Sequence, residues 1–109
     1  MRGKRKVSLA AAAQTDLDTI AAWTTVNFGP SQAESYIESI LDTIDELTSP
    51  TSAARSVARE EIAKGFRTLH MRKRGRRGRH FLLYSETPHE VRIHRILHDS
   101  MELSQHVPG

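Results

Sequence analysis

Apolar residues recur at two different periods along the chain, and the change of period marks how it is organised. Ala13, Leu17, Ile20, Ala21, Thr24 and Phe28 are spaced by three or four residues, which places them on one face of an α-helix with Asp16, Asp18 and Thr25 turned elsewhere. Phe28-Gly29-Pro30-Ser31 reads as a stop and a restart, because glycine suits the position after a helix and proline the first turn of the next. A second stripe, Ala33, Ile37, Ile40, Leu41, Ile44 and Leu47, runs with Glu34, Glu38, Asp42, Asp45 and Glu46 off it until Thr48-Ser49-Pro50. Two helices joined by so short a turn are expected to pack as an antiparallel hairpin.

From Phe66 onward the period becomes that of strands. Phe66 to Lys73 and Arg79 to Glu86 flank Arg74-Gly75-Arg76-Arg77-Gly78, whose glycines permit a hairpin loop, and Thr87-Pro88-His89-Glu90 is a second turn leading to Val91 to His98. In that last strand strict alternation puts Val91, Ile93 and Leu97 toward the helices and Arg92, His94, Ile96 and His98 on the opposite face. Arg95 falls on the inner side, where an arginine needs a carboxylate partner. Val7-Ser8-Leu9 is a short β-prone piece; residues 51–64 read as a connector with room for a turn or two of helix between Ala53 and Ala63, and Asp99 to Gln105 as a short final helix. The expected fold is α+β, in the order β-α-α-β-β-β(-α), with the helical hairpin on one face of a small antiparallel sheet. One domain spans residues 1–109, and residues 1–6 read as a flexible basic tail.

Composition narrows the function. The chain has 109 residues and no cysteine, which removes thiolate chemistry, disulfides and cysteine-ligated metals. No apolar run approaches the roughly 20 residues that span a bilayer, and a cytoplasmic protein is expected. A chain of this length has little interior to give to a deep cofactor pocket, which favours a surface function. The formal net charge of +3 hides a segregation: Val7 to Ala54 holds seven acidic residues and no Lys or Arg, whereas Lys64 to His80 holds eight basic residues and no acid. Eight uncompensated cations in so short a stretch repel one another and call for a partner, either nucleic acid or an acidic protein segment.

Several short patterns in fixed order carry a resemblance: Ala13-x-x-Asp16-Leu17-x-x-Ile20, Phe28-Gly29 with Ala33 and Tyr36 behind it, Leu47 followed by Pro50, Lys64-Gly65-Phe66-Arg67, the Tyr84 strand, and Val91-x-Ile93-x-Arg95-Ile96-Leu97-His98 with Met101-Glu102. In this order the sequence resembles the ParE toxins of the RelE/ParE superfamily of bacterial toxin-antitoxin systems. The resemblance implies a RelE/ParE-like fold and a ParD-like antitoxin whose acidic C-terminal part neutralises the toxin. It further implies DNA gyrase as the target, with growth arrest following from blocked replication, and contact with DNA only through the antitoxin. On that basis the target-binding residues are expected to be Arg72, Lys73, Arg74, Arg76 and Arg77 of the basic hairpin with Met101 and Glu102, and the antitoxin-binding residues Arg67, Arg79, Arg92, His94 and His98.

The alternative within the superfamily is a RelE-type, ribosome-dependent mRNA endoribonuclease. Metal-free RNA cleavage needs a base for the 2′-OH, an acid for the leaving oxygen and cations for the phosphate, and His94 with His98 beside Arg92 is the pair the sequence offers. His70 and His80 on neighbouring strands are possible additions. Histidines on a basic sheet are more often plain surface or half-buried residues, and no catalytic residue is assigned. His94, His98 and Asp99 lack a spacing that converges on one ion, and the Arg74 to Gly78 loop lacks the Lys-Ser/Thr of a phosphate-binding loop, so neither a metal nor a cofactor is expected.

Overall fold

The computed structural model describes residues 5–49, 56–73 and 76–100, the side chains at 72, 73 and 76–78 excepted. Its elements are β1 (Lys6–Leu9), α1 (Ala11–Phe28), α2 (Pro30–Glu46), β2 (Val57–Ala58), β3 (Phe66–Lys73), β4 (Arg76–Glu86) and β5 (Glu90–His98). The strands form one sheet in the order β1-β5-β4-β3-β2. β3, β4 and β5 are the expected antiparallel meander, but β1 runs parallel to β5 with Val7 opposite Val91, so the sheet is mixed rather than purely antiparallel. The α1-α2 hairpin carries the chain from β1 at one edge of the sheet to β2 at the other, and β3, β4 and β5 then return strand by strand until β5 lies parallel to β1.

The hairpin forms as its sequence dictates. α1 starts where the Ala10 N–H completes the β1 ladder by donating to the Ile93 carbonyl, and it ends at Gly29, whose φ of 91° is open to glycine at no steric cost. Pro30 opens α2, where its missing N–H would be unpaired anyway. Ala13, Ile40, Ile44 and Leu47 pack on Leu69, Met71, Leu82, Tyr84, Val91, Ile93 and Ile96, with Leu17, Ile20 and Ile37 at the margin. Each large aliphatic side chain buried there contributes about 1.5–3 kcal/mol.

Two expected stripe positions are exposed. Phe28 is exposed because every residue of the last turn of α1, Thr25 to Phe28, is exposed; Leu41 is exposed as well, and Thr43 is buried in α2 with its hydroxyl donating to the Ser39 carbonyl at 2.9 Å. The connector holds no helix among its described residues. Instead β2 pairs with β3, and a tight loop returns the chain through Gly65 (φ 85°), whose N–H donates to the Glu60 carboxylate at 2.9 Å.

The first hairpin is tighter than expected, since Lys73 is opposite Arg76 and Arg76 to Gly78 therefore belong to β4. The second turn is as expected: the Thr87 hydroxyl accepts the His89 and Glu90 N–H groups. Arg5, expected in a flexible tail, is buried. Its N–H donates to Thr48 O, and its guanidinium binds Glu86 and, at 3.1 Å, the Leu47 carbonyl at the end of α2. The expected final helix falls largely outside the described residues; Asp99 and Ser100 form a turn.

Strand β5 departs from strict alternation. Tyr84 is opposite Ile93 but Leu83 is opposite Arg95, so His94 is an extra residue and the phase changes after it. Ile96 consequently joins the core under the helices, while Leu97, opposite Phe81, lies on the other face. His98 is carried to the helix side, opposite His80. The expectation that Leu97 faces the helices and that Ile96 and His98 face away is thus reversed by one inserted residue.

Candidate functional site

Two places gather the polar side chains that the sequence pointed to. The first is the sheet face turned away from the helices. Here His94 stacks on Phe66, ring centroids 4.8 Å apart and 11° from parallel, and its Nε2 meets the Ser85 hydroxyl at 2.8 Å. Burial and the neighbouring charge of Arg92 hold the His94 pKa below its usual value, so the ring is neutral at pH 7. Arg92 is exposed beside it and reaches the Ser8 hydroxyl at 3.4 Å. Arg59, from the loop after β2, donates to Thr68 Oγ1 at 3.1 Å on the same face. Leu83 and Leu97 on this face are wholly buried, so the accessible surface is the cationic and aromatic rim around them.

The second place is the opposite face, at the end of the sheet near the β3-β4 hairpin. Tyr36 of α2 meets His80 Nδ1 at 2.6 Å, and the His80 and His98 rings stand edge to face with centroids 5.1 Å apart. Burial first, and His98 second, push the His80 pKa down to about 4. The Arg79 N–H bonds to the Tyr36 oxygen, so the Tyr36 O–H donates to His80. His98 Nδ1 accepts the Ser100 N–H at 3.1 Å and contacts the Ser100 hydroxyl at 2.7 Å. Both Nδ1 lone pairs are thereby engaged.

This geometry separates residues that the sequence grouped. His94 and His98 lie on opposite faces of the sheet and cannot converge on one phosphodiester. Arg92 and His94 share the outer face with an exposed Arg79 near the hairpin, whereas Arg67 points to the helix side, where its Nε donates to Ser56 Oγ at 2.7 Å and lies 3.8 Å from Glu86. The side chains of Arg72, Lys73, Arg76 and Arg77, and the whole of Arg74, Met101 and Glu102, fall outside the described residues. Among the described residues no three His, Asp or Glu side chains form a group able to hold a metal ion, and no helix is long and apolar enough to cross a membrane.

Sequence reasoning required a carboxylate for Arg95 without naming it; it is Asp16, which accepts from Arg95 Nε at 2.7 Å, from a second guanidinium nitrogen at 2.8 Å, and from the Ile96 N–H at 2.9 Å. The Tyr36-His80 contact went unforeseen, because nothing in the spacing of two residues so far apart signals it.

Residues 7–103 match the family described as the ParE toxin of type II toxin-antitoxin system, parDE. Among solved structures, the chain is similar to one from the chromosomal ParDE TA system from P. aeruginosa, with a TM-score of 0.69 and 22% identity, covering 87% of this chain and 96% of that one. No curated protein matches the sequence.

Proposed function

The chain belongs to the ParE toxin family of type II toxin-antitoxin systems, and from that premise we propose that it arrests growth by binding and inhibiting DNA gyrase, and that a ParD-like antitoxin neutralises it in the cytoplasm. The observation that supports this reading is the concentration of eight cations and no acid between Lys64 and His80, six of them within β3 and β4 of a toxin-family fold. Such a surface attracts an acidic segment of a protein partner. Arg72, Lys73, Arg74, Arg76 and Arg77, with Met101 and Glu102, are the proposed target contacts. The antitoxin tail is proposed to lie on the outer sheet face, over Arg79, Arg92 and His94. Arg67 and His98 face the helix side, where Arg67 is engaged with Ser56 and His98 with Ser100, and they contribute less.

A two-histidine nuclease receives no support, since His94 and His98 are on opposite faces and the Nδ1 lone pair of His98 is already engaged. The test is gyrase supercoiling of relaxed plasmid with purified protein, then with antitoxin added. Inhibition reversed by antitoxin is expected, and Arg76→Glu with Arg77→Glu, or truncation before Met101, is expected to relieve growth arrest while the circular dichroism spectrum is kept. Growth arrest with intact gyrase activity, abolished instead by His94→Ala with His98→Ala, overturns the reading in favour of mRNA cleavage.

A further inference from the structure

The helical hairpin carries a surface that neither the core nor the basic sheet uses. At the end of α1, Trp23 is 59% exposed, Val26 84% and Phe28 62%. Trp23 and Phe28 pack edge to face, centroids 5.7 Å apart, so each covers part of the other and neither enters the core. Three large apolar residues in six positions on one helix end are more than the scattered singletons of an ordinary surface.

The charge on the two helices is of one sign. Asp18 on α1 and Glu34, Glu38, Asp42 and Asp45 on α2 are exposed, and Glu34, Glu38, Asp42 and Asp45 have no ion pair among the described residues. Glu34, Glu38 and Asp42 are four residues apart and so form a row along α2, at roughly 6 Å per step. Trp23 lies six residues before Gly29 and Glu34 five after it. At about 1.5 Å per residue, both sit within ~9 Å of the same turn. The aromatic pair and the start of the carboxylate row therefore occupy the same end of the hairpin.

We infer that the α1-α2 hairpin is a second docking surface, for a cationic protein segment that sets an apolar side chain against Trp23 and Phe28 and basic side chains along Glu34, Glu38 and Asp42. The sign of the row selects the class of partner. Nucleic acid and anionic lipid are repelled by it, as is an acidic peptide of the kind suited to the basic sheet. The two faces can then hold partners of opposite charge at once.

Trp23 is the only tryptophan of the chain, which makes the surface its own reporter. The test is titration of the purified full-length protein with an 18-residue Lys/Leu amphipathic peptide, and separately with its Glu/Leu counterpart, following Trp23 emission. The inference expects a blue shift with the Lys/Leu peptide, weakened by salt, and none with the Glu/Leu peptide. Calorimetry is expected to show affinity reduced about tenfold by Phe28→Ala, the scale of a small aromatic anchor. The triple change Glu34→Gln, Glu38→Gln, Asp42→Asn is expected to reduce it about fivefold, the scale of several exposed ion pairs. These residues are exposed, so the variants are expected to keep the parent melting temperature. Equal binding of both peptides, binding that survives the substitutions, or no binding overturns the inference. So does concentration-dependent burial of Trp23 without peptide, which shows that a second copy of the chain covers the surface.

Discussion

The helical hairpin and the sheet differ in the sign of their charge and in how they use it. Every charged residue from Val7 to Ala54 is acidic and every one from Lys64 to Arg79 is basic. Among the described residues, the close ion pair joining a helix to the sheet is Asp16 with Arg95. Opposite charges distributed for internal stability would be paired across the layers; instead, six of the seven helix carboxylates, all but Asp16, are exposed. Asp16 is where the two layers are tied, to an arginine of β5 that lies outside the basic stretch. Asp16 also caps the Ile96 N–H at the part of β5 that β1 does not cover. Asp16→Ala leaves both the Arg95 guanidinium and that N–H without their acceptor. With side chains 26% and 15% exposed for Arg95 and Asp16, solvent recovers part of the loss. The expected cost is about 2–3 kcal/mol in urea unfolding, and Asp16→Asn, which keeps an acceptor for Ile96, is expected to lose less. A cost near that of an exposed aspartate means that the layers are held by apolar packing alone.

Arg5 makes the comparison sharper, because it is a basic residue used inwardly. It binds Glu86 at the end of β4 and the Leu47 carbonyl at the end of α2, tying the start of β1 to both layers. Arg5→Ala is expected to cost about 1–2 kcal/mol, leaving the partly buried Glu86 with Arg67 as its remaining cation. Arg2→Ala or Lys4→Ala, in the same basic run, serves as the control: a loss equal to that of Arg5→Ala assigns the effect to net charge and not to the buried contact.

What the sequence reveals follows the same division between repeated and singular features. The helices and the three long strands are legible because each is declared several times over, by periodic apolar residues and by Gly29-Pro30 or Thr87-Pro88 at the ends. The bulge at His94 is not, since one inserted residue changes neither composition nor turn chemistry, and Ile96-Leu97 offers an apolar residue to either face. That single ambiguity moved His98 from the outer face to the helix side. Arg5 was concealed by its neighbours, Arg2, Lys4 and Lys6, whose run has the look of a solvated tail. The candidate site was legible as charge and not as geometry: the cationic stretch could be counted, whereas the division of its residues between two faces required the register.

The histidine pair tests whether the helix-facing side of the basic sheet tolerates added charge. His80 has a folded pKa near 4 against an ordinary 6.5, owing to burial and to His98. The unfolded chain therefore takes up a proton before the folded one does. Above about pH 6.5 neither state is protonated and this group adds no pH dependence, whereas stability falls as pH is lowered from 6.5 toward 4. The charged and titratable groups facing it, Tyr36 from α2, Asp16 from α1, and Arg79, His98 and Asp99, are retained in His80→Gln. That variant is expected to show a shallower decline in melting temperature across this window. Identical slopes place the acid sensitivity in the carboxylates instead.

The smallest expected effect concerns a polar atom that the packing neglects. Tyr84 is wholly buried between the layers, and its hydroxyl, next to Ser56 and Arg67, makes no hydrogen bond of ordinary geometry among the described residues. A hydroxyl removed from water without a full partner is a cost, so deleting it leaves the ring packing intact and loses little. Tyr84→Phe is expected to change stability by no more than about 0.5 kcal/mol in either direction, in contrast to the loss expected at Asp16. A destabilisation above about 1.5 kcal/mol would show that the hydroxyl bonds Ser56 or Arg67 in solution. The Arg5-Glu86-Arg67 group would then extend through Tyr84 into the core, and the sheet would hold more of its cations inwardly than the charge pattern alone suggests.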